Sequence, residues 1–147
     1  MRYWVLLLIA FNAYGDDSAL VRSMGLANGF QVSDDVVSAI VEASRTFGIP
    51  VKELTAIGIL ETGLGKYHAE KPNKDGTIDQ GIFQVNTVNV PKCLGFDLNT
   101  AMGSAYCAAK LLRDIKGRHA SDYLGRYHSK TPSRKTRYQK AVLSLIK

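Results

Sequence analysis

Most residues whose types could do chemistry fall within positions 57–86, which read Ile-Gly-Ile-Leu-Glu-Thr-Gly-Leu-Gly, a polar loop, then Asp-Gln-Gly-Ile-Phe-Gln-Val-Asn. Glu61 follows Leu54 and Ile57 at helical spacing and so continues an apolar stripe of Val51, Leu54, Ile57 and Gly58. Gly63 and Gly65 punctuate the end of that helix, which sets Glu61 in its last turn. Burial strips water from the carboxyl and the helix C-terminus adds partial negative charge, and both disfavour the ionised form. Glu61 is therefore a candidate general acid, although a partly buried structural glutamate fits the same spacing. Gln84 and Asn86 carry amides that can both donate to and accept from sugar hydroxyls or acetamido groups, and Phe83 offers an apolar face to a sugar ring. The bland alternative for these three is a core aromatic with two internally satisfied amides. Asp75 and Asp79 are the nearest other carboxylates, and Asp79, just before Gly81, reads as a turn cap. His68, His119, His128, Cys93 and Cys107 share no paired ligand spacing, so neither a metal site nor a cofactor is expected.

Elements that could position these groups are legible on either side. Ser33 before Asp34 and Asp35 is a helix start, with an oxygen cap and acidic residues at the positive end of the dipole. Val36, Val37, Ile40, Val41 and Phe47 make its buried face, and Gly48 with Pro50 stops it. The Glu61 helix opens at Pro50 and Val51, so the carboxylate is delivered by the second member of a helical pair. Residues 66–80 are polar, with a turn signal at Lys71-Pro72-Asn73-Lys74-Asp75-Gly76, and are expected as an exposed loop or short hairpin walling a cleft. Asn99 or Thr100 caps a long packing helix to about Lys116 with Met102, Tyr106, Ala109 and Leu112 on one side and Gly117 as terminator. Gly103 within it costs about 1 kcal/mol relative to alanine and marks a close helix contact. A short helix from Ser121 or Asp122 presents Tyr123, Leu124 and Tyr127. After Thr131-Pro132-Ser133, a last helix buries Tyr138, Val142 and Leu145 and exposes Arg134, Lys135, Arg137 and Lys140.

The 147 residues, 46% of them apolar, suffice for one domain of ordinary size. Residues 1–15 differ from the rest: Arg2 begins them, Trp4 to Phe11 is unbroken apolar sequence, and Ala13 and Gly15 supply the small residues a signal peptidase reads. The run is far shorter than the ~18 apolar residues of a membrane span, so a cleaved export signal is expected, with an uncleaved anchor or an N-terminal strand as alternatives. Residues 16–32 read as an N-terminal extension with weak periodicity, and 33–147 as the functional domain. Export would let Cys93 and Cys107 pair and tie the loop after Asn86 to the long helix; two buried free thiols are the alternative. The formal charge is +6, and losing Arg2 with the leader leaves +5, which suits anionic wall polymer outside the cytoplasm or simple solubility.

With these parts placed, residues 33–145 resemble the lysozyme-like soluble lytic transglycosylases, in particular the small secreted kind that accompanies conjugation and type III or type IV secretion machines. The family's Glu-Ser-Gly helix end is matched by Leu60-Glu61-Thr62-Gly63, with threonine for serine, and its Gly-Leu-Met-Gln-Ile-Asn by Gly81-Ile82-Phe83-Gln84-Val85-Asn86. Asn99, Gly103 and Tyr106 are similar to its Asn-rich helix start, and its late Tyr-Asn pair corresponds to Tyr127-His128, where the asparagine's sugar contact is replaced. The resemblance implies a mainly α, lysozyme-like α+β fold: a helical bundle around a catalytic helix, followed by a small irregular or β-hairpin segment. It implies a peptidoglycan lytic transglycosylase in the periplasm or cell envelope, monomeric, without cofactor, nucleic acid or stable membrane insertion, that opens the wall for a secretion or conjugation apparatus.

On that model Glu61 protonates the oxygen between N-acetylmuramic acid and N-acetylglucosamine, then deprotonates the C6 hydroxyl that closes onto C1. The substrate supplies its own nucleophiles, which agrees with the lack of a second convincingly placed acid; glycosidases otherwise use two carboxylates. Thr62, Phe83, Gln84, Asn86, Tyr127 and His128 are the implied substrate-side residues, with Gln84 and Asn86 positioning glycan or bracing the cleft and Tyr127 packing or hydrogen-bonding near Glu61. The rivals are a hydrolytic muramidase with Asp79 holding a water, an inactive wall-binding or assembly protein docked through its basic last helix, and a cytosolic DNA-binding helical domain.

Overall fold

The computed structural model describes residues 2–67, 70 and 72–147; His68 and Lys71 of the expected loop lie outside them. Six helices and a two-stranded ribbon follow one another: α1 (Arg2–Ala27), α2 (Asp34–Phe47), α3 (Val51–Thr62), β1 (Asp79–Gln80), β2 (Val85–Asn86), a 3₁₀ segment (Thr87–Lys92), α4 (Ala101–Arg118), α5 (Tyr123–His128) and α6 (Pro132–Leu145). The chain is thus mainly helical with a small hairpin after the third helix. Among the described residues no helix is long and apolar enough to cross a membrane.

α3 is the element the others enclose. Its residues from Leu54 to Ile59 are buried consecutively under α1, α2, α6 and the ribbon turn, so the expected single stripe is corrected to a helix whose middle is buried all round, with Lys52 and Leu60 exposed near its ends. Gly63, at φ 59°, ends it: the Gly63 and Leu64 N–H groups donate to the Ile59 and Gly58 carbonyls, which answers the unpaired oxygens of the last turn. α2 starts after Ser33 and stops at left-handed Gly48 as its sequence requires, and its Val36, Val37, Ile40 and Val41 pack on α4.

Residues 16–27, read as part of an extension, belong to α1, which runs without a break across position 15. Val21 and Met24 enter the core and α1 lies on α3 and α2, while Arg22 donates to Asp34 (2.6 Å) and Arg45 to Asp17 (2.9 Å). The weak periodicity concealed a packed helix because, among residues 16–27, few apolar side chains, Leu20, Val21 and Met24, turn toward the core.

In α4 the Thr100 hydroxyl accepts from the Gly103 N–H (2.9 Å), as a cap does. Gly103 itself meets the preceding loop rather than another helix: a Cβ there would stand 1.9 Å from the Asp97 carbonyl oxygen. Gly117 does not end α4; the helix runs on to Arg118, and the His119 N–H closes it on the Ile115 carbonyl (2.8 Å). Met102, expected on the packing side, is exposed, whereas Ala109 and Leu112 are fully buried. On α6, Tyr138 and Val142 are buried and Leu145 packs at the edge of the core. Cys93 and Cys107 form a disulfide that ties the end of the 3₁₀ segment to the middle of α4, both cysteines wholly buried.

Candidate active site

Glu61 is the penultimate residue of α3, and its side chain is 13% exposed. Its Oε1 accepts a 2.6 Å hydrogen bond from the Tyr138 hydroxyl on α6. His128, at the end of α5, stacks flat on the Tyr138 ring (centroids 4.5 Å, planes 1° apart) and holds its Nδ1 3.7 Å from the same Oε1. Among the described residues no hydrogen bond engages Oε2, so one carboxyl oxygen is fixed and the other is open to a ligand.

A second phenol clamps the opposite end of α3: the Tyr123 hydroxyl donates to Glu53 Oε2 at 2.5 Å. The two glutamates are eight residues apart, about 12 Å along a helix. The α5 and α6 helices thereby grip α3 near both ends, and the position of Glu61 relative to them is set by side-chain hydrogen bonds as well as by packing.

Glu61 opens onto a cleft of about 860 Å³ that Asp79, Gln84, Asn86, Tyr127 and His128 also line. The ribbon forms one wall. Asp79 pairs with Asn86 and Gln80 with Val85, leaving Gly81 to Gln84 as the turn. Gln84 takes φ 48°, an uncommon left-handed conformation for a residue with a side chain, and its Nε2 donates to the Gly81 carbonyl (3.0 Å). That bond turns the Gln84 side chain across its own turn, where it borders the cleft. The Asn86 amide donates to Thr77 Oγ1 and to Asp79 Oδ1 (both 2.9 Å), and its Oδ1 accepts from the Val88 N–H (3.0 Å). Asn86 is thus the brace of the wall, and Asp79, which also accepts from Asn73 Nδ2 (3.4 Å), is held by two amides.

Two of the expected substrate-side residues do not face the cleft. Phe83 is 0% exposed and packs over Gly58 of α3, since a Cβ at Gly58 would stand 3.2 Å from its ring. It offers no face to a sugar, and the reading of Phe83 as a subsite residue is corrected to that of a core aromatic. Thr62 is likewise buried; its Oγ1 donates to the Ile82 carbonyl (2.7 Å) and accepts from the Gly65 N–H (2.9 Å), latching the end of α3 to the ribbon turn. The apolar and hydroxyl character of these positions was legible, but which side they face depends on the ribbon folding back over α3.

Tyr127 packs beside Glu61, yet its hydroxyl donates to the Phe83 carbonyl (2.7 Å) rather than to a carboxylate. Burial, then the charges of Glu61 and Asp79, push its pKa well above the ordinary phenol value. Burial, the Glu61 charge and the hydrogen bond to it do the same for Tyr138. Both phenols stay protonated through the neutral range, so Tyr138 is a constant donor to Glu61. Sequence reasoning placed Tyr138 only in the core, because Tyr138 and Val142 repeat at helical spacing and nothing local relates Tyr138 to a carboxylate 77 positions away.

Chemically, the arrangement offers one partly shielded carboxyl with a fixed and a free oxygen, a second carboxylate held by amides in the same cleft, and amide groups bordering both. Among the described residues no group of three or more histidine, cysteine, aspartate or glutamate side chains could hold a metal ion. Comparison with family models, with curated proteins and with solved structures returns no match.

Proposed function

We propose that this chain is a peptidoglycan lytic transglycosylase that cleaves between N-acetylmuramic acid and N-acetylglucosamine with Glu61 as both acid and base. The observation that carries the reading is the Glu61 carboxyl itself: 13% exposed, at the wall of a cleft, with Oε1 held by the Tyr138 phenol and Oε2 unengaged. Protonated Glu61 donates from Oε2 to the glycosidic oxygen, and the C1–O bond breaks with its electron pair on that oxygen. The muramic acetamido oxygen supports the cation at C1. The carboxylate, stabilised by the Tyr138 hydroxyl, then takes the C6 hydroxyl proton as O6 bonds to C1, leaving a 1,6-anhydro end and Glu61 protonated as it began. No water is consumed.

The cleft suits a glycan in two further respects. Amide side chains such as Gln84 supply donors and acceptors to sugar substituents. The rigid support of the wall, from the Asn86 network and the Tyr127 hydroxyl on the Phe83 carbonyl, holds the turn fixed against the glutamate. Such an enzyme acts in the envelope, as the apolar run at residues 4–11 and the buried disulfide both favour, and local wall opening for a secretion or conjugation apparatus is the setting that the resemblance suggests. The hydrolytic reading has one observation in its favour, since Asp79 lines the same cleft as Glu61. Asp79 is already engaged by Asn73 and Asn86, which leaves it less free to orient an attacking water.

The test is cleavage of purified peptidoglycan sacculi by the protein and by Glu61→Gln, followed as the release of soluble glycan. The substitution keeps the side-chain shape and removes the transferable proton. Cleavage should fall by at least about 1,000-fold with the circular dichroism unchanged, the size of effect that loss of an essential acid–base group produces. Retention of a tenth or more of the activity in Glu61→Gln would exclude Glu61 from the chemistry.

A further inference from the structure

The cleft that Glu61 lines carries cations with no role in the reaction. Lys92, at the end of the 3₁₀ segment, Arg118, at the end of α4, and Lys130, just after α5, all line it and are all exposed. None of the three has an ion-pair partner among the described residues. Of the other charges that line it, Glu61 and Asp79 are held by neutral donors, the Tyr138 phenol and the Asn73 and Asn86 amides, and two more are paired with opposite charges. Asp114, also in the cleft, accepts from Lys110 (2.8 Å) and Arg113 (3.3 Å), and Arg126 is held by Asp122 (2.7 Å). Arg118 and Lys92 lie in the last turns of α4 and of the 3₁₀ segment, where a cation complements the helix dipole, but no such explanation covers Lys130. Three uncompensated cations brought into one cleft from three elements favour an anion there, since a field of one sign raises the local concentration of the opposite charge.

Sugar rings and acetamido groups are neutral and give these cations nothing to pair with. The carboxylates of a wall glycan hang from the lactyl ether of muramic acid, either as the lactyl group itself or on the peptide attached to it. Resting on the glycan reading given above, we infer that Lys92, Arg118 and Lys130 form a subsite for the carboxylates of the muramic acid substituent, so that the cleft selects charged, muramic-acid-bearing strands over neutral amino-sugar polymers. Because the cations are exposed, the preference is screened by salt and weakens above the ionic strength where the Debye length falls to about 8 Å.

The experiment measures binding of soluble glycan oligomers of equal length to Glu61→Gln protein, which holds them uncut, with and without Lys92→Glu and Lys130→Glu. Three oligomers are used: muramic acid chains with stem peptides, the same chains trimmed by an amidase to the lactyl carboxylate, and neutral N-acetylglucosamine chains. The parent should bind at least one of the two charged chains about tenfold more tightly than the neutral one at low salt, the sum of a few exposed ion pairs. The double reversal should remove that gap, leave neutral-chain binding within about twofold, and leave the melting temperature unchanged, because both lysines are exposed. Which charged chain shows the gap identifies the carboxylate. Equal affinity of the parent for charged and neutral chains, or a gap that survives the double reversal, overturns the subsite while leaving the glycan cleft intact. Failure of every oligomer to bind the parent overturns the glycan reading and the subsite with it.

Discussion

At the scale of single residues, the Glu61 carboxyl is defined as much by Tyr138 as by its own helix. Tyr138→Phe keeps the ring under His128 and deletes only the 2.6 Å donor to Oε1. A hydrogen bond to a charged group contributes about 1.5 to 3 kcal/mol, so wall cleavage should fall by between about 10- and 150-fold, mainly in kcat. Unchanged kcat in that variant would make the phenol a packing group only. Glu61 was legible because burial, the helix end and the glycine stop are all encoded within a dozen residues around it. Gln84 and Asn86 were legible as amides beside the site, though the role of Asn86 as a brace emerges only from its bonds to Thr77 and Asp79. Phe83, Thr62 and Tyr138 were misassigned or missed because their surroundings come from residues tens of positions away, which no local spacing reports.

The elements were easier to read than their contacts. Gly48, Gly63 and Thr100 bound helices where capping chemistry places them, and α2 starts after Ser33 without the expected side-chain cap hydrogen bond, whereas Gly117 stays helical because nothing draws it into the left-handed region that ends a helix. The ribbon turn is the element on which the cleft wall depends, and Gly81 is its tightest point: φ is 74°, and a Cβ there would approach the Leu98 carbonyl at 2.3 Å and the buried Ser104 hydroxyl at 2.5 Å. Gly81→Ala should lower unfolding free energy by about 2 to 4 kcal/mol, from backbone strain together with overpacking, measured by urea denaturation. A loss below half a kcal/mol would show that the turn can shift away from α4. The join between α5 and α6 has its own signature. Asp122 accepts from Arg126 and Lys135, and those hydrogen bonds hold its carboxyl down to about 2 from 3.8. A depressed carboxyl stabilises the fold above its unfolded value and loses that contribution as pH falls, so Asp122→Asn should flatten the acid side of the stability profile between about pH 4 and 2.

For the molecule as a whole, the mainly helical class with a hairpin after the third helix was legible, because helix periods and turn signals alternate clearly from residue 33 onward. That residues 16–27 complete the core was not, since Val21, Met24 and the partly buried Leu20, the apolar side chains this stretch turns inward, leave little periodic signal. Two global properties follow from the packing. Opening the Cys93–Cys107 bridge by replacing both cysteines with serine should cost about 3 kcal/mol of stability, and an unchanged melting temperature would show that the two elements it joins are held without it. Tyr123, Tyr127 and Tyr138 all have raised pKa values, with burial as the largest cause. Their contribution to stability is fully present below the unfolded value of 10.0 and is lost as pH rises through the folded values, so three of the seven tyrosines should ionise only with alkaline unfolding when absorbance is followed at the phenolate band.

Mass spectrometry of the muropeptides released from sacculi by the purified protein, with Glu61→Gln as control, decides whether one carboxyl performs both proton transfers. A single carboxyl that returns the proton through the C6 hydroxyl predicts products ending in 1,6-anhydro-muramic acid, absent from the Glu61→Gln digest. Reducing-end products, heavier by one water, would contradict it and assign the cleft to a hydrolase in which Asp79 positions the water.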